Sequence, residues 1–216
     1  MTDHDTEHHA GGPAEWDERY SASNRIWSGA PNGTLITETA QEIPGRALDV
    51  GCGEGADAVW LARHGWQVTG LDVSAVALSR AREAAKDAGV EIEWVHGGLV
   101  DAGLSAGAFD LVTAHYPALP KTPGHNTERT LLGLVAPGGT LLVVFHADFD
   151  TQHLKDRGID PEDYVWMSHA VAALDDKWTI EVNERRPRQI PAGGDARHTA
   201  DLVLRARRAS PDGERN

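Results

Sequence analysis

The chain has 216 residues, of which 40% are hydrophobic and 25% are charged, so it is long enough for one domain with a buried core. Its formal net charge of -13 disfavours a nucleic-acid partner, because an acidic surface repels phosphate groups. The single cysteine excludes an intramolecular disulfide, and no apolar run reaches the roughly 18 residues of a membrane span. We therefore expect a cytoplasmic enzyme with no membrane partner, and we interpret the basic runs over 185–188 and 205–208 as solvated charges.

The predicted elements begin after an acidic, His-rich N-terminus. Residues 1–12 are expected to form a disordered tail, and residues 209–216 a flexible C-terminus. Residues 13–208 form the single predicted domain. Its first part, residues 13–44, contains a helix over 13–20, a Ser/Asn/Gly/Pro-rich loop, and a helix over 34–43 that Pro44-Gly45 ends. We interpret this part as a helical lid.

Strands and helices then alternate. Strands are predicted over 47–51, 67–73, 91–97, 109–115 and 140–146, and helices over 56–65, 74–89 and 126–139. This alternation predicts a parallel sheet that helices cover on both faces. After a helix over 165–176, two strands over 178–189 and 196–208 follow with no helix between them, so they predict an antiparallel hairpin joined by the turn "PAGGD".

The first strand runs into a helix through Gly51-Cys52-Gly53-Glu54-Gly55. Glycines let a backbone turn sharply and let a ligand approach it closely, and ligands of open α/β sheets bind beyond the carboxyl ends of the strands. Asp72 ends the second strand, 21 residues after Gly51, which suits a carboxylate that binds both hydroxyls of a ribose. The sequence therefore predicts a nucleoside pocket.

Two nucleoside cofactors fit these residues. The string Gly51-x-Gly53-x-x-Ala56 satisfies the dinucleotide fingerprint, so an NAD(P)-dependent oxidoreductase is one alternative. Asp49 opposes it, because dinucleotide turns often lack an acid two residues before the first glycine. The absence of a Tyr-x-x-x-Lys pair and the terminal hairpin oppose it too.

The stretches "LDVGCGEG", "LDVS" and "VAPGGTLLVV" resemble, in order and spacing, the cofactor motifs of class I S-adenosylmethionine-dependent methyltransferases. "WDERYSASNRIWSG" is similar to the small-molecule branch that includes tellurite-resistance and thiopurine methyltransferase-like proteins. The resemblance implies a doubly wound α/β fold whose seven-stranded, mostly parallel sheet has the order 3-2-1-4-5-7-6, with strand 7 antiparallel. It implies S-adenosylmethionine as cofactor, S-adenosylhomocysteine as product and a small-molecule methyl acceptor. A cofactor-binding protein without turnover is the third hypothesis.

The resemblance also implies a role for each cofactor-binding position. Asp49 is expected near the methionine amino group, the glycines along the methionine and ribose, Asp72 on the ribose hydroxyls and Val73 on the adenine. The family usually places an adenine-binding acid where this chain has Gly98, so the nearby backbone or Asp101 is expected to take that contact. Cys52 is interpreted as a small packed residue of the turn, and Trp27 as a lid over the ligand. The predicted cofactor-binding residues are Asp49, Gly51, Cys52, Gly53, Gly55, Asp72, Val73, Gly98, Leu99, Ala114 and Trp27.

The transferable methyl is expected past the ends of the first and fourth strands. The resemblance implies that residues at the end of the fourth strand, namely Ala114, His115 and Tyr116, border the acceptor, and His146 at the end of the fifth strand is expected to point the same way. Methyl transfer is an in-line displacement whose rate depends on holding the reactants in line in a dry site. A thiol supplies its own thiolate, whereas a phenol or alcohol needs a base, for which His115 and His146 are the candidates. Tyr116 is a candidate hydrogen-bonding or pocket-closing residue. No metal site is expected, and Asp148 and Asp150 are interpreted as a solvated or capping pair.

Overall fold

The structure is a computed structural model that describes residues 12–148, 160–188 and 198–210. Its strands are β1 (Arg46–Val50), β2 (Gln67–Asp72), β3 (Glu93–His96), β4 (Phe109–His115), β5 (Val135–His146), β6 (Trp178–Pro187) and β7 (Ala200–Arg208). Its helices are α1 (Pro13–Ser21), α2 (Gly33–Thr39), α3 (Ala56–Arg63), α4 (Ala75–Ala88), α5 (Asn126–Leu134) and α6 (Met167–Ala172). The predicted hairpin turn over 191–195, and nearly all of the predicted tail over 1–12, lie outside the described residues.

The strands form one seven-stranded sheet of order β3-β2-β1-β4-β5-β7-β6. The first five strands are parallel, and β7 is antiparallel to both of its neighbours, β5 and β6. The predicted order and the antiparallel seventh strand are therefore confirmed. Because β1 to β5 run the same way, the segments that follow them meet along one side of the sheet, which we call the carboxyl edge. The start of β7 also lies there, since His146 pairs with Asp201.

Apolar side chains cover both faces of the sheet. Alternate strand residues point to opposite faces, so Leu48 and Leu141 pack under α5 and α6, whereas Leu111 and Leu142 pack under α2 and α3. Strands buried on both faces need continuous apolar runs, which accounts for the "TLLVVF" stretch of β5. Each fully buried leucine stabilises the fold by roughly 1.5–3 kcal/mol. No helix within the described ranges is long and apolar enough to cross a membrane.

Helix α4 has the two ends that its sequence predicts. The Ser74 hydroxyl accepts a hydrogen bond of 3.0 Å from the backbone N–H of Ala77, and Gly89 ends the helix with a φ of 67°. Glycine adopts this left-handed conformation without the steric cost that other residues incur. The Ser74 cap holds the segment between β2 and α4 in place, and this segment borders the glycine turn.

Other predicted helix bounds are wrong. The helix predicted over 126–139 ends at Leu134, and β5 starts at Val135, which pairs with Phe109. The Pro-Gly-Gly run that was expected to end a helix is instead a bulge inside β5, before pairing resumes at Thr140. The helix predicted over 34–43 ends at Thr39, whose hydroxyl donates to the Leu35 carbonyl, and the helix predicted over 165–176 covers only 167–172.

The interpretation of the basic runs as solvated charges is wrong for Arg186 and Arg205. The Arg186 guanidinium lies 2.7 Å from the Glu38 carboxylate, and Arg205 contacts Glu38 at 3.7 Å and pairs with Glu42 as well. The hairpin strands carry these arginines on the face that α2 covers, so Glu38 of α2 and Glu42 of the segment after it neutralise them. These ion pairs connect the segment around α2 to β6 and β7, the last two strands in the sheet order.

Candidate functional site

The three glycines after β1 all adopt left-handed φ angles, namely 71° at Gly51, 53° at Gly53 and 83° at Gly55. Their surroundings differ. A Cβ atom built on Gly51 would meet nothing within 4 Å, whereas one on Gly53 would lie 2.9 Å from the Tyr20 hydroxyl and one on Gly55 2.9 Å from the Ala81 side chain. Gly51 therefore leaves open space for a ligand, Gly53 faces the N-terminal segment, and Gly55 makes room for α4.

Asp72 connects this turn to the end of β2. Its Oδ2 atom accepts a hydrogen bond of 2.8 Å from the backbone N–H of Gly53, and its Oδ1 atom accepts one of 2.8 Å from the N–H of Ser74. Burial raises the pKa of this carboxyl group, although the backbone N–H groups oppose the rise. Each carboxylate oxygen can accept a further hydrogen bond, so two ribose hydroxyls can bind without displacing these contacts.

Asp49 carries a buried carboxylate oxygen that lacks a partner. The residue is 2% exposed, and no described residue donates a hydrogen bond to its Oδ2 atom. Burial, and then the nearby Asp57 and Asp72, raise its pKa well above the usual range of an aspartate. An orphaned buried acceptor of this kind indicates a ligand with a cationic donor. The ammonium group of a methionine moiety fits that requirement.

The N-terminal segment covers the turn from above. Tyr20 is buried, and its hydroxyl accepts a hydrogen bond of 3.0 Å from Nε1 of Trp27. Both side chains approach Gly53, while Trp27 remains 45% exposed. Burial raises the pKa of the Tyr20 hydroxyl, which therefore stays protonated and able to donate. Trp27 was predicted to be a lid residue, and the aromatic Tyr20 was expected to anchor the segment rather than to belong to the site.

Arg80 of α4 holds this segment in place. Its Nη2 atom donates to the backbone carbonyls of Tyr20 at 2.7 Å and Ser23 at 2.6 Å, and its Nη1 atom donates to Oε1 of Glu54 at 2.8 Å. The other Glu54 oxygen accepts a hydrogen bond of 3.1 Å from the N–H of Trp27. The guanidinium thus joins the lid, the glycine turn and α4, and no local sequence pattern pointed to it.

The residues predicted around the adenine lie at the ends of β2 and β3. The Val73 carbonyl lies 2.9 Å from Nε2 of His96, and Leu99 is buried. Gly98 has open space where a side chain would be, and its carbonyl accepts a hydrogen bond of 3.1 Å from the N–H of Asp101. The backbone at Gly98 is therefore accessible, and its contact with adenine stays a prediction.

Cys52 and Ala114 are both buried in the described structure. The Cys52 thiol packs beneath the turn, and burial raises its pKa, which supports the interpretation as an unreactive packed residue. Ala114 belongs to the apolar cluster on the α5 side of the sheet, with no part of its surface exposed. Their contacts with a cofactor also stay predictions.

His115 is anchored beneath α3. Its Nδ1 atom lies 3.0 Å from the Thr113 hydroxyl and 3.3 Å from Oδ2 of Asp57. The Asp57 carboxylate also accepts two hydrogen bonds of 2.7 Å from Asn32 at the start of α2. Burial lowers the pKa of the ring, and Nε2 of His115 has no hydrogen-bond partner in the part of the chain that the structure describes. His115 therefore sits deeper than a residue that borders an open pocket.

His146 and Tyr116 lie together at the carboxyl edge. Their rings stack with centroids 3.9 Å apart and planes 19° apart. The Tyr116 hydroxyl donates a hydrogen bond of 3.0 Å to Asp201, and Tyr116 has a φ of 51°, a left-handed conformation that is uncommon for residues other than glycine. Burial raises the pKa of Tyr116 and lowers that of His146. The structure thus brings two of the three predicted catalytic residues into contact.

The acidic pair Asp148 and Asp150 was predicted to be solvated or capping. Asp148 accepts hydrogen bonds of 2.8 Å from Arg185 and 3.1 Å from Thr199, and Asp150 lies outside the described residues. A cavity of about 810 Å³ opens beside Pro44 and Gly138, at the opposite edge of the sheet, and contains none of the predicted site residues.

The central part of the chain is similar in sequence to known methyltransferases. Residues 47–139 match the family described as methyltransferase domain. An uncharacterised methyltransferase of Mycobacterium tuberculosis is 42% identical over 98 residues, which cover 45% of this chain and 48% of that protein. A ubiquinone biosynthesis O-methyltransferase of Cronobacter sakazakii is 38% identical over 106 residues, covering 48% of this chain and 44% of that protein. The chain therefore spans less than half the length of these curated relatives.

Structure comparison extends the similarity to the whole fold. A protein solved in work on the conversion of a disulfide bond into a thioacetal group during echinomycin biosynthesis has a TM-score of 0.72, with 24% identity over 93% of each chain. The predicted family resemblance is confirmed, and the narrower tellurite-resistance and thiopurine-like branch stays a prediction. Residues 47–139 match the methyltransferase domain family, and the sheet has the strand order that the resemblance to class I S-adenosylmethionine-dependent methyltransferases implied.

Proposed function

We propose that this protein binds S-adenosylmethionine at the glycine turn and transfers its methyl group to a small-molecule nucleophile. The observation that carries the proposal is the orphaned Oδ2 atom of Asp49, buried beside a turn of three left-handed glycines. NAD has no free ammonium group to place there, whereas the methionine moiety has one. The family match over residues 47–139 supports the same cofactor.

The residues around the turn would divide the binding of this cofactor. Asp49 would accept hydrogen bonds from the ammonium group, and Asp72 would accept them from the ribose hydroxyls. The open space at Gly51 would let the backbone approach the ligand. The cofactor supplies a methyl group on a positively charged sulfur. Tyr20 and Trp27 would exclude water from above the turn, which favours a displacement that needs a dry, ordered site.

The acceptor side of the site is proposed to lie at His146 and Tyr116. His146 is neutral near pH 7, because burial lowers its pKa, so it can take a proton from an acceptor. The Cronobacter relative, an O-methyltransferase by name, agrees with an oxygen nucleophile. The small-molecule acceptor and the cytoplasmic location are predictions from the sequence.

Calorimetry with S-adenosylmethionine, S-adenosylhomocysteine and NAD tests the cofactor. We expect both sulfur compounds to bind and NAD not to bind; tight NAD binding with no response to either sulfur compound would overturn the proposal. Release of S-adenosylhomocysteine in the presence of phenol, amine, thiol or chalcogen oxyanion acceptors separates a methyltransferase from a protein that only binds the cofactor. Release with at least one acceptor class is the expected result.

A further inference from the structure

A buried carboxylate lies between the two side chains proposed for the acceptor side. Asp201, the second residue of β7, is 1% exposed. Its Oδ2 atom accepts the hydrogen bond of 3.0 Å from the Tyr116 hydroxyl, and its Oδ1 atom lies 3.5 Å from Nδ1 of His146. The pairing of His146 with Asp201 across β5 and β7 fixes this arrangement in the backbone of the sheet.

We propose that Asp201 is a positioning residue that holds His146 as the proton acceptor for a hydroxyl-bearing methyl acceptor. The inference rests on the proposed methyltransferase function and narrows it, because a base is required only where the acceptor arrives with its proton still bound. A phenol or an alcohol meets this condition, and a thiolate does not.

The carboxylate selects one tautomer of the imidazole. When Asp201 accepts from Nδ1–H, the lone pair of the ring lies on Nε2, as in other His–carboxylate pairs. The Nδ1 atom is buried, yet 14% of the His146 side chain remains exposed. The proposed proton transfer would use Nε2, which lies on the side of the ring opposite Nδ1. The 3.5 Å separation is long for a hydrogen bond and is expected to shorten as the ring gains positive charge.

Among the residues that the structure describes, Tyr116, His198, Arg188 and Asp201 are titratable or charged groups that act on His146. Tyr116 stacks on one side of the ring, and His198 stacks on the ring at 4.0 Å with the planes 10° apart. Arg188 lies 5.0 Å from the centre of the Tyr116 ring. Burial is the largest effect and lowers the pKa of His146; Asp201 raises it, and His198 and Arg188 lower it. Within the described part of the chain, Asp201 therefore favours a proton on His146, whereas His198 and Arg188 oppose it.

The proposed step balances as a displacement coupled to a proton transfer. The acceptor O–H bond breaks, with the proton passing to Nε2 of His146 and the electron pair staying on oxygen. That oxygen forms the new bond to the methyl carbon, and the bond from this carbon to sulfur breaks with its electron pair on sulfur. Asp201 stabilises the imidazolium, which afterwards releases its proton to water.

An NMR titration of histidine-labelled protein tests the positioning role without any acceptor. The His146→Gln variant identifies the His146 signals. We expect Asp201→Asn to lower the pKa of His146, because the carboxylate that favours its charged form is gone. Tyr116→Phe is expected to raise it, because the Asp201 carboxylate is no longer shared. Asp110→Asn, at the opposite edge of the sheet, is the matched control and should leave the titration unchanged.

An activity assay tests the acceptor class with catechol and thiophenol as probes. We expect Asp201→Asn to lower kcat for catechol by about 10- to 100-fold and to shift its pH profile, with Asp201→Glu restoring part of the rate. The kcat for thiophenol, which reacts as its thiolate, should fall far less in this variant. Unchanged His146 titration in both Asp201→Asn and Tyr116→Phe, or an equal loss for both probes, would overturn the inference. Failure of the wild type to bind S-adenosylhomocysteine would instead overturn the proposed function. If Asp201→Asn does not fold, the rise in pKa expected for Tyr116→Phe decides the question alone.

Discussion

The carboxylate of Asp72 and the backbone of Gly53 are joined by a hydrogen bond of 2.8 Å, across 19 residues of sequence. A second oxygen of the same carboxylate accepts from Ser74. One side chain at the end of β2 therefore shapes the turn after β1 and the start of α4. The proposed ribose contact would add to these bonds, so Asp72 would both build the site and bind the ligand.

We expect Asp72→Asn to weaken S-adenosylhomocysteine binding by about 10- to 100-fold, the loss that accompanies 1.5–3 kcal/mol of charge-assisted hydrogen bonding. The amide also brings an NH2 group toward a backbone N–H, so the melting temperature should fall. Calorimetry and thermal unfolding measure the two effects. Asp87→Asn, on an exposed side chain of α4, is the control. A dissociation constant that Asp72→Asn leaves unchanged would contradict the ribose assignment.

Gly51 and Gly55 are predicted to fail in different ways when replaced by alanine. Both have left-handed φ angles, so either substitution costs about 1–2 kcal/mol of strain. Gly55→Ala would also place its Cβ 2.9 Å from the side chain of Ala81 and 3.0 Å from the ring of Trp94, which adds about 1–3 kcal/mol of overpacking. Gly51→Ala should stay folded and lose cofactor affinity.

Urea denaturation and calorimetry distinguish the two variants. The free energy of unfolding should fall further in Gly55→Ala than in Gly51→Ala, whereas the dissociation constant should rise more in Gly51→Ala. The opposite ranking of affinities would show that the open space at Gly51 does not face the ligand.

Arg80 is predicted to control how long the ligand stays bound. Lysine cannot reproduce the three contacts of the guanidinium, so Arg80→Lys should loosen the lid from the turn. We expect faster dissociation of S-adenosylhomocysteine, followed by stopped-flow fluorescence of Trp27, and a melting temperature about 2–4 °C lower, the equivalent of 1 kcal/mol. Arg82→Lys on the same helix is the matched control. Equal dissociation rates in both variants would disconnect the lid from ligand release.

Asp49 is predicted to lower the stability of the free protein at pH 7 and to raise its affinity for a ligand with an ammonium group. Its folded pKa is raised by burial and by neighbouring acids, so its contribution to stability is fully present below its unfolded pKa and is lost as pH rises through the folded pKa. Asp49→Asn should therefore stabilise the free protein at pH 7. Binding of an ammonium favours the ionised carboxylate, so the wild type should release a proton on binding wherever Asp49 begins protonated, and its affinity should rise with pH up to the folded pKa.

Calorimetry in buffers of different ionisation enthalpy measures that proton. We expect Asp49→Asn to abolish the release of this proton and to weaken the binding of S-adenosylhomocysteine. Binding of 5′-methylthioadenosine, which lacks the amino group, should change little. An equal loss of affinity for both ligands would show that Asp49 does not bind the ammonium group.

The alternating strand and helix patterns predicted a mostly parallel sheet with a terminal antiparallel hairpin, and the family resemblance implied the strand order. The bound between α5 and β5 was missed because Pro137-Gly138-Gly139 suits a helix end and a strand bulge equally well. Asp49 and Asp72 could be predicted, since Asp49 lies two residues before Gly51 and Asp72 ends β2, 21 residues after Gly51.

Arg80 and Asp201 could not be predicted in this way. Arg80 meets Glu54 across 26 residues and Asp201 meets Tyr116 across 85, and only the folded topology brings them together. The surroundings of the turn glycines could not be predicted either. The sequence does not reveal that Gly51 faces open space while Gly55 packs against neighbouring side chains.

A crystal structure of the protein with S-adenosylhomocysteine tests the central claim most directly. The account predicts the ammonium group within hydrogen-bond distance of Oδ2 of Asp49 and the ribose hydroxyls on Asp72. A ligand bound in the cavity beside Pro44 and Gly138, or one whose amino group makes no contact with Asp49, would contradict it.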